Sequence, residues 1–136
     1  MHASRQLLVV DDQAVNRLLV SRLLGKAGWT VLQMEGGEQA LAWLAENAVE
    51  LVLLDISMPT LSGQEVCRRI REGGLGGPGI RLVAYTAHAM PEEREQFLTG
   101  GFDAILVKPI SRASLEGVLS ELGLSDVKPL DGVEPL

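Results

Sequence analysis

The chain has one cysteine, Cys67, few aromatic residues and no long apolar run. One cysteine permits no internal disulfide, which suits a reducing compartment. Aromatics make up only 4% of the 136 residues, so the core has to come from aliphatic side chains. The apolar runs fall far below the roughly 18 residues that a membrane span needs. No stretch long enough for a signal peptide follows Met1-His2-Ala3-Ser4-Arg5. Positive charge is also scarce: 12 Lys and Arg face 18 Asp and Glu, for a net charge of -6. That balance argues against a nucleic-acid-binding domain, whose footprint is basic. The expectation is a cytoplasmic chain, or the cytoplasmic part of a membrane-bound one. It should be monomeric in isolation, without nucleic-acid binding and without membrane insertion.

What is present suffices for one domain. Apolar residues make up 46% and charged residues 22%, close to the globular average. The most informative stretch is Leu51-Val52-Leu53-Leu54-Asp55-Ile56-Ser57-Met58-Pro59. Its apolar run has no alternation and reads as a strand buried on both faces, as in a parallel sheet. Pro59 says the strand has ended, so Asp55 sits where the strand gives out. In open α/β sheets that end is where ligands bind.

Four further strands are expected at 6–10, 30–34, 81–85 and 104–107. The second is more polar and belongs at an edge. Helical periodicity appears from Val15 to Ala27, with Val15, Leu19, Leu23 and Ala27 inward, widened by Val20 and Leu24. Asp12 is its expected N-cap and Gly28 its stop. Further helices are expected at 38–48, with Ala40, Leu41, Leu44 and Ala48 inward, and around 65–71. Another runs from Pro91 to about Thr99, and a last one, capped by Ser111, runs to Leu122. Residues 72–79 read as a flexible glycine-rich loop. Strands alternating with helices predict a doubly wound parallel α/β sheet. Residues 1–5 are expected to be an N-terminal arm, 6–122 the domain, and 123–136 a flexible tail or linker.

Four strands deliver polar residues at their C-terminal ends: Asp11 and Asp12, then Asp55, Thr86 and Lys108. In a parallel sheet those ends share one edge. Crowded carboxylates repel, and a hard divalent cation such as Mg2+ relieves this through oxygen ligands. Asp55 is then a candidate nucleophile, and a phosphoryl group is its natural electrophile. Lys108 and Thr86 can neutralise and hydrogen-bond phosphoryl oxygens.

Val10-Asp11-Asp12, Asp55-Ile56-Ser57-Met58-Pro59, Tyr85-Thr86-Ala87 and Val107-Lys108-Pro109-Ile110 together resemble a response-regulator receiver domain over about residues 6–122. The resemblance implies a flavodoxin-like (βα)5 fold with strand order 2-1-3-4-5. It also implies a phosphoacceptor at Asp55, with Mg2+ on Asp12, Asp55 and the backbone carbonyl of Ser57. Asp11 matches the acid acting mostly through water, Thr86 the switch hydroxyl and Lys108 the phosphate-binding lysine. A cis Lys108–Pro109 bond is implied too. Asp11-Asp12-Gln13-Ala14-Val15-Asn16-Arg17 and Thr86-Ala87-His88-Ala89-Met90 resemble receivers of hybrid sensor histidine kinases. The expected role is that of a phosphorelay receiver module, taking its phosphoryl group from a histidine kinase or histidine phosphotransfer domain. A stand-alone single-domain regulator is the alternative. Ile105 stands where the family usually has an aromatic switch residue, which implies small structural change on activation. Ser62 stands where an aspartate is common.

Blander readings exist for each residue. Asp11-Asp12 serves equally as a helix cap, Asp55 as a turn residue, Lys108 as surface charge and Thr86 as a strand end. His88 reads as a solvated loop residue, since no partner sits at metal-ligand spacing. Cys67 reads as a half-buried helix residue, and Trp29 and Trp43 as packing. An aspartyl-phosphate phosphatase usually carries a second acid two residues after its nucleophile, where this chain has Ser57. A nucleotide- or flavin-binding domain needs a glycine-rich phosphate loop after the first strand. A degenerate receiver that only binds protein is the third rival, and the complete acidic set argues against it.

Overall fold

The computed structural model describes residues 5–124. Apart from Arg5, Gly123 and Leu124, the expected arm and tail lie outside the described residues. Ten elements alternate along the chain: β1 (Arg5–Val10), α1 (Ala14–Gly25), β2 (Trp29–Met34), α2 (Gly37–Leu44), β3 (Leu51–Asp55), α3 (Gly63–Gly73), β4 (Arg81–Thr86), α4 (Pro91–Thr99), β5 (Ala104–Val107) and α5 (Arg112–Glu121). The strands form one parallel sheet in the order β2-β1-β3-β4-β5. The more polar β2 lies at an edge, as its composition predicts.

The unalternating apolar strands are explained by helices on both faces of the sheet. Alternate residues serve each face. Leu8, Val10, Val52, Leu54, Leu82 and Ala84 pack with α2, α3 and α4. Leu7, Val9, Leu51, Leu53, Val83, Tyr85, Ala104 and Leu106 pack with α1 and α5. Each fully buried Leu or Val contributes about 1.5–3 kcal/mol, so two aliphatic half-cores suffice despite the few aromatics.

The helices depart from the periodicity reading in three places. The inward face of α1 centres on Val20 and Leu24, while Val15 is 76% exposed and Ala27 is exposed. The first turn of α1 leaves its apolar residue open to solvent. Asp12 does not cap this helix: Gln13 is the N-cap and makes no side-chain cap bond. Instead the Gln13 amide donates to Asp11 Oδ1 at 2.8 Å. The second helix stops at Leu44, leaving Ala48 exposed. There the Leu44 carbonyl accepts from Gly76 N at 2.9 Å, and Val49 N donates to Gly76 O at 3.1 Å. The glycine-rich loop is thereby pinned at Gly76, which is buried with φ +79°, in the left-handed region that favours glycine.

Other boundaries follow local chemistry. Ser111 caps α5 by accepting from Ser114 N at 3.0 Å. Ser62 caps α3 by accepting from Glu65 N at 3.2 Å, so the serine in the unusual position holds a helix start. Pro91 opens α4.

Candidate functional site

In this strand order the chain reverses direction across the sheet between β1 and β3, and the crevice lies at the C-terminal ends of those strands. Asp11 follows β1 directly and Asp55 closes β3. The ladder continues past the formal strand ends, with Asp11 N bonded to Met34 O at 3.1 Å and Lys108 N to Thr86 O at 2.8 Å. Alternation therefore carries on, and Asp11, Asp55, Tyr85 and Lys108 share the face lined by Val9, Leu53, Val83 and Leu106.

The result is a crowded acid cluster. Asp11, Asp12 and Asp55 each offer a carboxylate oxygen within 4.8 Å of the others. Asp11 is fully buried and Asp55 is 2% exposed, while Asp12 is exposed. One cation faces the two buried acids. Lys108 Nζ donates to Asp55 Oδ1 at 3.1 Å and stands 3.8 Å from Asp11 Oδ2. Ser57 N donates to the same Asp55 oxygen at 3.3 Å. Asp55 Oδ2 receives no hydrogen bond among the described residues. Asp11 Oδ2 is buried and has no hydrogen-bond partner among the described residues.

Burial, helped by the neighbouring Asp11 charge, pushes the Asp55 carboxyl from 3.8 up to about 6. The hydrogen bond and charge of Lys108 oppose this, as does the Ser57 amide. A buried carboxylate left short of donors is costly. Hard oxygen ligands in surplus over the available donors are what a divalent cation satisfies. The residues present therefore fit a Mg2+-like ion, with Asp11, Asp12 and Asp55 to hold it.

Thr86 is near the edge but turned away from the acids. Alternation puts it on the opposite face from Tyr85, and its hydroxyl donates to His88 O at 3.0 Å while accepting from His88 N. His88 is exposed in the β4–α4 loop, as expected of a solvated loop residue. Ile105 is half-buried against the core half that contains Ala84 and Phe97. The Lys108–Pro109 bond is cis.

Three supporting residues escaped the sequence reading. Arg17 on α1 donates from Nη1 to the Asp11 carbonyl at 2.7 Å, fixing the loop that carries the acids. Gly63 opens α3 so close to β3 that a Cβ there would lie 2.4 Å from the Asp55 carbonyl oxygen. Tyr85, register partner of Asp55, lies with its ring under Lys108 Nζ, 4.6 Å from the centroid. Strand parity was the one available signal for Tyr85; nothing in sequence spacing marks Arg17. Cys67 is more buried than half: at 1% exposure, burial pushes its thiol up to about 11, which suits a packing role. Trp29 and Trp43 pack against the two core halves.

Sheet order and strand-end chemistry define an α/β domain whose ligand crevice is acidic and flanked by one lysine. The sequence model of the response regulator receiver domain matches residues 7–120, and the chain belongs to that family. It is a receiver domain of two-component signal transduction. Sensor histidine kinase RcsC of Salmonella typhi is 38% identical over 114 residues, covering 84% of this chain and 12% of the kinase. Sensor protein GacS of Pseudomonas syringae pv. syringae is 39% identical over 116 residues, covering 84% of this chain and 13% of that protein. The chain thus spans a small part of these relatives. A solved structure adds detail: the receiver domain of sensor histidine kinase PA1611 from Pseudomonas aeruginosa PAO1, with a magnesium ion coordinated in its active site cleft. It is 30% identical with a TM-score of 0.77, covering 89% of this chain and 99% of that one.

Proposed function

We propose that this domain accepts a phosphoryl group on Asp55 from a phosphohistidine and passes on the signal within a phosphorelay, as a module of a hybrid histidine kinase. The supporting observation is the imbalance at the crevice. Two buried acids share one lysine, and among the described residues neither Asp11 Oδ2 nor Asp55 Oδ2 receives a hydrogen bond. Asp11, Asp12, Asp55 and the backbone carbonyl of Ser57 would hold Mg2+. Bound there, the ion supplies positive charge that keeps Asp55 ionised and draws phosphoryl oxygens.

In the transfer step a carboxylate oxygen of Asp55 forms an O–P bond while the donor's N–P bond breaks. The electron pair stays on the donor imidazole nitrogen. Lys108, already 3.1 Å from Asp55, turns an N–H toward the phosphoryl oxygens and offsets their charge. Thr86 exchanges its bond to the His88 carbonyl for one to a phosphoryl oxygen, which pulls on the β4–α4 loop. With Ile105 in place of an aromatic, the change stays local to that loop.

The donor domain docks on α1. Val15 is 76% and Leu18 49% exposed there, three residues apart and so on one helical face, next to Asp12. Apolar side chains beside the crevice fit a helical phosphohistidine carrier.

Acetyl phosphate tests the acceptor directly. With Mg2+ the wild-type domain should gain one phosphoryl group by intact mass, and chelation should prevent it. The Asp55→Asn domain should gain none; labelling of that variant at the wild-type rate would rule Asp55 out.

A further inference from the structure

The phosphoryl-acceptor reading leaves Tyr85 without a task, yet this residue is built into the crevice. It is 1% exposed, its carbonyl accepts from Ile56 N at 3.0 Å, and it is the register partner of Asp55. Its ring lies 4.6 Å from Lys108 Nζ, which is 3.1 Å from Asp55 Oδ1 and 3.8 Å from Asp11 Oδ2. The ammonium therefore rests on an aromatic face with both buried acids in front of it. Burial and the Asp11 and Asp55 charges push the Tyr85 phenol up, so the ring stays neutral.

We propose that Tyr85 is a positioning residue: its ring holds the Lys108 ammonium at the acid pair, ready for the phosphoryl group. The inference rests on the acceptor reading above. A lysine side chain has four rotatable bonds, and at Lys108 it reaches a crevice edge where the side chain keeps 24% exposure. Without a seat, the ammonium would sample water as well as the acids. An aromatic face attracts a cation, the more so when both are partly desolvated. It does so without adding a charge, so it leaves the three N–H donors for oxygens. A carboxylate in the same place would hold the lysine but compete with the incoming phosphoryl oxygens. An aliphatic side chain would fill the space and attract nothing.

The experiment uses Tyr85→Phe, which keeps the ring, and Tyr85→Leu and Tyr85→Met, which keep bulk without it. The first measurement is the shift of the Lys108 ε-methylene protons by NMR in the metal-free domain. A ring beneath the ammonium should move them upfield in the wild type and in Tyr85→Phe, and the displacement should vanish in Tyr85→Leu and Tyr85→Met. The second is the rate of labelling by acetyl phosphate with Mg2+. Tyr85→Phe should stay near the wild-type rate, while the ring-less variants should slow about fivefold. Wild-type protons without the upfield displacement would overturn the proposal, whatever the variants do. Ring-less variants labelled at the wild-type rate would also overturn it, as would a Tyr85→Phe domain as slow as Tyr85→Leu. A wild-type domain that takes no label at all would instead overturn the acceptor reading, and the proton shifts would still decide the contact.

Discussion

The two ends of the sheet each set acidic against basic side chains, and they balance charge in opposite ways. Where β4 and β5 begin, Asp103 Oδ2 accepts from Arg71 Nη2 at 2.7 Å and from Leu82 N at 2.8 Å. Arg71 spends its remaining reach on the Gly101 and Ile80 carbonyls. One acid there meets two donors, and one guanidinium meets three oxygens. Where the strands end, two buried acids share one lysine, and Asp11 Oδ2, 3.8 Å from that lysine, receives no hydrogen bond among the described residues. The first arrangement is complete without a ligand and ties α3 to the sheet. The second has more acid oxygens than donors, which suits a cation. Similar residue types therefore form a closed network at one end and, on the proposed reading, an acceptor site at the other, and the count of donors against acids separates them.

Substitutions at the two ends should change stability in opposite directions. Asp103→Ala strands the buried Leu82 amide and unpairs Arg71, and it should cost about 2–3 kcal/mol in urea unfolding. Labelling of the folded fraction should remain near wild type. Asp55→Asn should instead stabilise the metal-free domain by about 1–2 kcal/mol at pH 8. The sign follows from the raised carboxyl, which titrates at about 6 folded against 3.8 ordinarily. Between those values the folded domain keeps a proton that the unfolded chain has released. Wild-type stability should therefore fall as pH rises through that window and stay lower above it. The asparagine variant lacks this loss, and its advantage should vanish below pH 4. An Asp55→Asn domain less stable than wild type at pH 8 would erase the contrast.

A smaller effect sharpens the comparison from outside the crevice. Leu18→Asp should cut transfer from a phosphohistidine-bearing partner domain about tenfold, equivalent to about 1.4 kcal/mol. Labelling by acetyl phosphate should be nearly unchanged, because that donor needs the crevice alone. Equal loss with both donors would mean that the domain itself is damaged.

Much of this was legible in the sequence, for physical reasons that differ by element. Doubly buried strands leave unalternating apolar runs, and β5 and α4 fall where Ala104–Val107 and Pro91–Thr99 predict them. The strand-end acids and Lys108 were legible because topology alone brings them together. The inner face of α1 was not. Periodicity says that Val15 is apolar and in phase, but not that the first helical turn is left open to solvent. The early stop of α2 was hidden because it is set by Gly76, which lies more than thirty residues along the chain. The seat of Lys108 on Tyr85 required both strand parity and strand order to be known at once. The direction of the Thr86 hydroxyl depends on two loop bonds with the His88 backbone, which no residue pattern encodes.

The central claim is that the surplus of acids marks Asp55 as a covalent acceptor. Borohydride reduction of the phosphorylated domain tests it most directly, because an acyl phosphate on aspartate is converted to homoserine. After acetyl phosphate and Mg2+, peptide sequencing should find homoserine at position 55 and aspartate intact at positions 11 and 12. Homoserine at position 11 or 12, or a stable phosphoryl group retained on another residue, would contradict the account.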